Sequence, residues 1–340
     1  MIRAAVVGAG AFGKNHARVL SQLPEVRLAA IVDLDLARAQ ALATQYGTEA
    51  FSDVRDVLGH MDAAIVATPT VTHETVAEAL LSAGVDVLVE KPIADSAEGG
   101  ARLTQLAEQN GRILQVGHLE RFNPAVVALE RACTLPLFFE VHRLSVFTPR
   151  SLDVDVVLDL MIHDLDIVLH LAGEEPAEIR AAGISILSPK VDIANVRLSF
   201  ANGCVANLTA SRVSTEQVRK LRMFQPGEYL SVDYGRQDLA RLRILPNELL
   251  TRDFLRNEPN TEQPSINQQH RIGFEQVPVE RSEPLERELS SFFQTVRERS
   301  KPLVDGWQAT RALRLAEEIL GTIKVHAQTV SETIARRIHS

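Results

Sequence analysis

The sequence predicts two domains: an α/β domain with a doubly wound parallel sheet, then an α+β domain with a large, mostly antiparallel sheet. Three observations support this prediction. The chain has 340 residues, more than one typical domain. Up to residue 118, short apolar runs alternate with helical segments, as in parallel sheets covered on both faces. After Gly173 the pattern changes to consecutive strands, separated by turns such as Ala201-Asn202-Gly203.

Composition and charge exclude several classes of protein. A hydrophobic fraction of 45% is ordinary for a folded protein, and a net charge of −8 argues against nucleic acid or an anionic membrane as a partner. Cys133 and Cys204 are too few for a disulfide framework, which fits a reducing compartment. No apolar run approaches the roughly 18 residues of a membrane span, and the short run at the N-terminus resembles a strand more than a signal peptide. We therefore expect a cytoplasmic protein.

A glycine-rich turn follows the first predicted strand. The turn Gly8-Ala9-Gly10-Ala11-Phe12-Gly13 lies between an apolar run at 2–7 and a helical segment at 14–23. Strand, turn and helix in this order are the context of a dinucleotide fingerprint. Its first glycine makes the tight turn, the second lets the backbone approach a pyrophosphate, and the third allows close packing of helix on strand. The pattern predicts a Rossmann domain, with the pyrophosphate at the helix N-terminus.

An acidic residue follows the second predicted strand of the Rossmann domain. The apolar run at 26–32 ends in Asp33, which is 20 residues after Gly13. A carboxylate there accepts hydrogen bonds from both ribose hydroxyls and repels a 2′-phosphate, so it favours NAD over NADP. Arg38 keeps NADP open, although an exposed position on the next helix explains it better. The predicted cofactor is NAD.

Further candidate cofactor contacts follow the next three strands, because ligands of parallel sheets bind beyond the carboxyl ends of the strands. They are Thr68, Pro69, Thr70 and His73, then Glu90, Lys91 and Pro92, and finally Gln115. Lys91 comes directly after a buried strand, where an amine can donate to a hydroxyl and stabilise a developing alkoxide. The alternative is a surface lysine paired with Glu90. His73, near the start of its helix, is better explained as structural.

The apolar segment 154–166 predicts a largely buried helix that carries Asp159 and His163. At i, i+4 these side chains project from one face, about 6 Å apart. A carboxylate and an imidazole on an apolar wall indicate acid/base chemistry, and a hydrogen-bonded core pair is the alternative. Asp166 and His170 share the face, but His170 lies about 10 Å along the axis from His163, too far for one metal ion. We predict no metal.

Together, the fingerprint, Glu90-Lys91-Pro92 and Asp159-x-x-x-His163-x-x-Asp166 resemble the glucose–fructose oxidoreductase and inositol dehydrogenase (Gfo/Idh/MocA) family over nearly the whole chain. The resemblance implies that Lys91, Asp159 and His163 are catalytic and line the site where a sugar hydroxyl meets the nicotinamide. In these roles His163 is the base, Asp159 orients it or stabilises its protonated form, and Lys91 steadies the oxygen. It also implies a cis Lys91-Pro92 bond and a homodimer or homotetramer formed through the second sheet.

Within the family, four segments are most similar to the branch that acts on UDP-N-acetylhexosamines. They are Arg121-Phe122-Asn123-Pro124, 153–166, Ala210-Ser211-Arg212 and Arg219-Lys220-x-Arg222. This similarity implies oxidation of the C3 hydroxyl of UDP-N-acetylglucosamine, ahead of amination by an aminotransferase in lipid A biosynthesis. The arginines and Lys220 supply enough cations for a diphosphate, although exposure on a strand explains Arg219 and Arg222 better. The predicted substrate contacts are Lys91, His118, Arg121, Asn123, Asp159, His163 and Arg212.

Other functions stay open at this point. A dehydrogenase of UDP-N-acetylglucosaminuronate, or of a free polyol or sugar such as inositol, differs only in substrate. A non-catalytic NAD-sensing protein has the same fold, since fold does not fix function. An acid/base set argues against that last reading.

We predict a domain boundary near residue 118, giving an NAD-binding domain at 1–118 and a substrate-binding and oligomerisation domain at 119–340. The polar segment 247–272 is predicted to be a long loop. The C-terminal helices at 284–338 are expected to pack back toward the first domain. Lys91, Asp159 and His163 are expected to converge between the domains, where ligand sites commonly lie.

Overall fold

The computed structural model describes residues 1–148, 154–244 and 272–338. The first sheet is parallel, with the strand order β3-β2-β1-β4-β5-β6. Its strands are β1 (Ile2–Val7), β2 (Val26–Val32), β3 (Glu49–Phe51), β4 (Ala63–Val66), β5 (Asp86–Glu90) and β6 (Leu114–Gly117). Its helices are α1 (Ala11–Leu20), α2 (Leu36–Tyr46), α3 (His73–Ser82) and α4 (Ala97–Gln109). The strand order reverses between β1 and β4, which places a ligand crevice at their carboxyl ends.

The second sheet has eight strands in the order β14-β13-β12-β11-β7-β10-β9-β8. They are β7 (Phe138–Val146), β8 (Pro176–Ile184), β9 (Ile193–Phe200), β10 (Val205–Ser214), β11 (Val218–Gln225), β12 (Glu228–Asp233), β13 (Asp238–Ile244) and β14 (Ile272–Val277). Only the β7–β10 pair is parallel. The predicted mostly antiparallel sheet is therefore confirmed.

Helices cover the inner face of this sheet. The helix α5 (Pro124–Ala132) precedes it, and a π-helical turn (Val157–Met161) leads directly into α6 (Ile162–Ala172). The C-terminal helices are α7 (Pro284–Glu298) and α8 (Gly306–Ile338). Leu289, Phe292 and Phe293 of α7 join the apolar core of α1 and the first sheet, whereas α8 packs on α4, α6 and β8. The last helices thus contact both sheets, and the boundary at residue 118 remains a prediction.

Several elements differ from their predicted bounds. The helix α1 begins at Ala11, three residues before the predicted start, so Gly13 lies within the helix. The helix packs closely on the preceding turn at this point, because a Cβ on Gly13 would lie 1.7 Å from the carbonyl oxygen of Gly8. The strands β3 and β14 were not predicted, and α2 was predicted only as the helix that carries Arg38, without bounds. Apart from Ile272, the polar loop predicted at 247–272 lies outside the described residues.

Candidate active site

A cavity of about 960 Å³ lies at the carboxyl edge of the first sheet. Its second wall is formed by Val154, Leu158 and Asp159. Val154 precedes the π-helical turn, and Leu158 and Asp159 lie within that turn. Most of the predicted cofactor contacts line the cavity: Gly8, Gly10, Ala11, Phe12, Asp33, Arg38, Thr68, Pro69, Thr70, His73, Glu90, Lys91 and Pro92. Gly13 and Gln115 do not. The cavity is large enough for most of a dinucleotide, since ligand pockets commonly measure 300–1,000 Å³.

The glycine turn has the shape of a pyrophosphate cradle. Gly8 has φ +102°, and a Cβ there would lie 2.4 Å from the carbonyl oxygen of Ala67, so only glycine fits. A Cβ on Gly10 would meet no atom within 4 Å, which shows open space beside the backbone. Gly10 caps α1 without a side-chain hydrogen bond, so the first N–H groups of the helix remain available to an anion.

Asp33 is anchored at the carboxyl end of β2 by two backbone donors. Its Oδ2 accepts from the Ala9 N–H at 2.7 Å, and its Oδ1 accepts from the Asp35 N–H at 2.9 Å. A carboxylate has about four acceptor sites, so it can still accept from ribose hydroxyls. The Arg38 guanidinium forms ion pairs with two carboxylates, because its Nη1 lies 3.7 Å from the Asp33 Oδ2 and its Nη2 lies 3.4 Å from the Asp35 Oδ2. The cradle and the acid therefore fit NAD.

Two of the predicted cofactor contacts, His73 and Gln115, are buried. His73 is buried, and its Nδ1 and Nε2 each lie 2.9 Å from a backbone carbonyl oxygen, of Pro92 and Thr68 respectively. Burial lowers the pKa of His73, and the two carbonyls raise it. Carbonyl oxygens only accept, so an uncharged ring donates to one of the two at a time. Gln115 is fully buried, and its amide donates to the Glu288 carbonyl at 3.3 Å.

Lys91 reaches across the cleft to the second wall. Its Nζ donates to the backbone carbonyl of Asp159 at 2.7 Å and lies 3.7 Å from the Oδ1 of the same residue, 68 residues along the chain. Burial lowers the pKa of Lys91, while the charges of Asp159 and Glu90 raise it and that of Arg143 lowers it. The Lys91-Pro92 peptide bond is cis. The predicted convergence of Lys91 with Asp159 is present.

Asp159 lies in the π-helical turn, a wider turn that is frequent at functional sites. The spacing from Asp159 to His163 therefore does not give the α-helical geometry that the sequence predicted. No hydrogen bond joins Asp159 to His163, and the His163 Nδ1 is buried without a hydrogen-bond partner within the described ranges. Asp159 pairs with Lys91 instead, so the predicted orienting contact is absent from the structure.

His163 lies beside His118, with ring centroids 6.2 Å apart and the rings edge to face. The pKa of His163 is lowered well below its usual value by burial, and then by the positive charge of Lys91, Arg143 and Arg219 and by His118. Lys91 and Arg219 thus act on this ring from opposite domains. At neutral pH the His163 imidazole is uncharged and can accept a proton.

The predicted substrate contacts His118, Arg121 and Asn123 are buried. His118 and Arg121 both face Asp166, with 4.0 Å and 3.6 Å between the nearest nitrogen and Oδ2. Asn123 caps α5 and donates to the Tyr234 carbonyl at 3.0 Å. His118, Arg121 and Asn123 therefore do not line the cavity, and neither does His163.

Arg212 is also buried, and it braces the segment that leads into the π-helical turn. Its Nε lies 3.2 Å from Asp192, and its Nη2 donates to the carbonyls of Val154 and Val191. Val154 lines the cavity, so Arg212 shapes the substrate wall without forming part of it. The contact of Arg212 with the substrate stays a prediction.

The sequence reasoning missed Arg143 on β7. This arginine is buried, its Nε lies 2.6 Å from Asp164, and its Nη1 lies 2.9 Å from Glu120. The available signal was alternation, since Phe139, Val141 and Arg143 occupy the same inward phase of the strand. An arginine in that phase indicates a buried ion pair.

Register separates the three cations of β11. Arg219 pairs with Arg143, which places it on the inner face together with the buried residues of its strand, yet Arg219 itself is exposed. Lys220 and Arg222 take the alternate phase, and Arg222 pairs with Glu140 at 2.8 Å on the outer face. Only Arg219 of the three faces the side of the sheet that carries His163.

No group of three His, Cys, Asp or Glu side chains within residues 1–148, 154–244 and 272–338 could hold a metal ion. In the same ranges, no helix is both long and apolar enough to cross a membrane.

Glu288 gives a stability prediction. The pKa of this buried carboxyl on α7 is raised well above its usual value by burial and then by the charge of Glu90. The contribution of Glu288 to the free energy of unfolding is fully present at a pH below the pKa that this carboxyl has in the unfolded chain. It is lost as pH rises through the pKa that the carboxyl has in the folded protein. We expect Glu288→Gln to match the parent in melting temperature near pH 4 and to exceed it by a few degrees at pH 8, because a tenfold change in proton affinity is worth about 1.4 kcal/mol.

The matched control is Glu286→Gln, an exposed carboxylate on the same helix. It is expected to show no pH-dependent difference from the parent in calorimetry. Equal melting temperatures of Glu288→Gln and the parent at every pH would show that Glu288 ionises normally.

Comparison with known proteins agrees with this geometry. Residues 2–118 match the family model described as oxidoreductase family, NAD-binding Rossmann fold, and residues 139–224 match the GFO/IDH/MocA C-terminal domain. The chain belongs to the Gfo/Idh/MocA oxidoreductase family. Like other members, it is an NAD-dependent oxidoreductase acting on CH–OH groups, which confirms the predicted class and cofactor.

Relatives of this chain include dehydrogenases named for a sugar nucleotide and for inositol. A UDP-N-acetylglucosamine 3-dehydrogenase from Acidithiobacillus ferrooxidans is 40% identical over 234 residues, 68% of this chain and 74% of that protein. The solved structure of that organism's enzyme superposes with a TM-score of 0.85 at 33% identity, covering 96% of this chain and 98% of the other. An inositol 2-dehydrogenase from Rhizobium meliloti is 30% identical over 230 residues, 63% of this chain and 70% of that protein. The chain is accordingly a sugar dehydrogenase.

Proposed function

We propose that this dehydrogenase oxidises the C3 hydroxyl of UDP-N-acetylglucosamine. The observation that carries the proposal is the contact of Lys91 with Asp159, which joins the cofactor cavity to a wall of the second domain. The substrate follows from the similarity to a UDP-N-acetylglucosamine 3-dehydrogenase over nearly the whole fold.

His163, Lys91 and Asp159 have separate roles in the oxidation of the alcohol. NAD, when bound in the cavity, supplies the hydride acceptor. The neutral His163 accepts the hydroxyl proton as general base, a role that commonly contributes 10²–10⁴-fold. The Lys91 ammonium donates to the substrate oxygen while negative charge develops there. Asp159 fixes the position of that ammonium through its backbone carbonyl and its carboxylate.

Arg219 is our candidate for the diphosphate. It is exposed on the inner face of the sheet, and its charge reaches His163. We expect Arg219→Gln to raise KM for UDP-N-acetylglucosamine about tenfold with a smaller change in kcat, because a charge-assisted bond to a bound phosphate is worth about 1.5–3 kcal/mol. Steady-state kinetics measure this effect. Arg222→Gln, on the same strand but the opposite face, should leave KM unchanged; equal effects of the two variants would remove Arg219 from the site.

Absorbance at 340 nm tests the substrate directly. The protein is mixed with NAD⁺ and, in turn, with UDP-N-acetylglucosamine, UDP-N-acetylglucosaminuronate, inositol and glucose, with a carbonyl-trapping reagent to draw the reaction forward. We expect UDP-N-acetylglucosamine to give the highest kcat/KM. Turnover of inositol or glucose with no response to either UDP-sugar would contradict the proposal, and preference for the uronate would place the chain in the neighbouring branch.

We also propose a homodimer or homotetramer formed through the outer face of the second sheet. Cross-strand neighbours form an apolar row across that face: Val205, Phe138, Phe224, Tyr229, Leu242 and Phe274. Phe274 is 71% exposed in the single chain, and exposed apolar rows of this kind mark interfaces. Light scattering should give at least a dimer, and Phe224→Asp should dissociate it. A monomeric parent protein would contradict this assembly.

The cellular setting belongs to the same proposal. A 3-keto sugar nucleotide carries a carbonyl that an aminotransferase can aminate, so we propose such an enzyme downstream, in lipid A biosynthesis. A cytoplasmic location is part of this proposal.

A further inference from the structure

Glu90, directly before Lys91 in the chain, is held by a buried hydrogen bond. Its Oε1 lies 2.7 Å from the Nε2 of His16 on α1. A carboxylate can only accept, so the ring nitrogen donates. The His16 side chain is 1% exposed and that of Glu90 is 14% exposed. The bond therefore lies largely out of water, where hydrogen bonds are electrostatically stronger.

The second carboxylate oxygen of Glu90 lies over a glycine. Gly117 is the partner of Glu90 in the β5–β6 ladder, and a Cβ on Gly117 would lie 3.0 Å from the Glu90 Oε2 and 3.2 Å from its Cα. A side chain at 117 would press on the carboxylate from below. His16 and Gly117 together give the Glu90 carboxylate one fixed position at the cavity edge.

A second buried carboxyl faces Glu90 from α7. Glu288 is 1% exposed, and its Oε1 has no hydrogen-bond partner among the residues described. Two carboxylates that share an apolar site do not both ionise. Burial and then the charge of Glu90 raise the pKa of Glu288 well above its usual value, so Glu288 carries a proton at neutral pH.

We propose that His16 and Glu90 are positioning residues that hold a fixed negative charge beside Lys91 and so keep its amine protonated for donation to the substrate oxygen. This inference rests on the proposed function, because it takes Lys91 as that donor. It links α1, whose N-terminus forms the cofactor cradle, to the catalytic side of the cleft.

Other charged and titratable groups surround Lys91 and Glu90. Lys91 also faces Asp159, Arg143, His118 and His163. Glu90 also faces Glu288, His73 and His118. Of these groups, Asp159 and Glu90 supply the negative charge near Lys91, and removing either should make the amine easier to deprotonate.

Trace acetylation tests the inference without substrate or cofactor. The full-length protein is exposed to limiting acetic anhydride from pH 6 to 11, and acetylation of Lys91 is measured by mass spectrometry relative to the exposed Lys324. We expect Glu90→Gln to move the Lys91 midpoint at least about half a pH unit lower, because an opposite charge has been removed. Glu286→Gln should leave the midpoint unchanged.

His16 gives the second arm. His16→Leu removes the donor and should move the Lys91 midpoint in the same direction as Glu90→Gln, whereas His16→Gln, whose amide can donate, should return it toward the parent value. An unchanged midpoint in folded Glu90→Gln, or equal midpoints in the two His16 variants, would overturn the inference. Neither outcome depends on whether UDP-N-acetylglucosamine is the substrate, so this test stays separate from that of the proposed function.

Discussion

Replacement of His163 by alanine should lower kcat about 1,000-fold, the largest effect expected from a single substitution in this protein. The ring is uncharged at neutral pH, because burial and then the positive charge of Lys91 and Arg143 lower its pKa well below the usual value. The Nδ1 of His163 has no hydrogen-bond partner among the described residues, and neither ring nitrogen of its neighbour His118 has one. Steady-state kinetics at neutral pH measure the loss.

His170→Ala is the matched control. It lies on the same helix, two turns farther along, and pairs with Glu130 at 2.7 Å near the surface. Its kcat should equal that of the parent. In the parent, kcat should rise with pH through the lowered pKa of His163 and be level by neutrality, since only the uncharged ring accepts a proton. Near-normal turnover of a folded His163→Ala protein would remove the base assignment.

Replacement of Lys91 by methionine should lower kcat by 10²–10³-fold, the magnitude found when one donor to a developing oxyanion is removed. Methionine keeps the length of the side chain and loses the charge and the N–H groups. The contact with the Asp159 carbonyl is lost with them, so the cleft also loses its direct tie between the domains. Lys91→Arg should recover little of the activity, because a planar guanidinium does not replace a compact ammonium.

Lys301→Met, at an exposed lysine that pairs with Asp305 at 2.7 Å, is the control for loss of a lysine and should retain full kcat. Thermal unfolding of all three variants separates loss of chemistry from loss of fold. Parent-like kcat in Lys91→Met would mean that the amine has no part in the reaction.

The cofactor side of the site was predictable because its signals are local in sequence. A strand, a glycine turn and a helix are contiguous, and the bounds of β1 and β2 agree with the apolar runs at 2–7 and 26–32. Candidate residues after β4 and β5 follow from the rule that parallel strands end at one edge. The start of α1 was missed because Gly13 was taken as turn and is helical.

The substrate side was less predictable because burial there depends on partners distant in sequence. Arg212 is held by Asp192, and Arg121 by Asp166, and no local pattern identifies which acid meets which arginine. The geometry of Asp159 depends on a π-helical turn, which hydrophobic periodicity does not reveal. The face on which Arg219 lies follows from its pairing with Arg143, a fact of register that appears only in the assembled sheet.

The central claim is that this cleft removes the hydrogen from C3 of UDP-N-acetylglucosamine. UDP-N-acetylglucosamine labelled with deuterium at C3 is incubated with NAD⁺ and a carbonyl trap, and the mass of the NADH formed is measured. We expect NADH heavier by one deuterium and a slower reaction than with unlabelled sugar. NADH formed without deuterium would place the oxidation at another carbon and contradict the account.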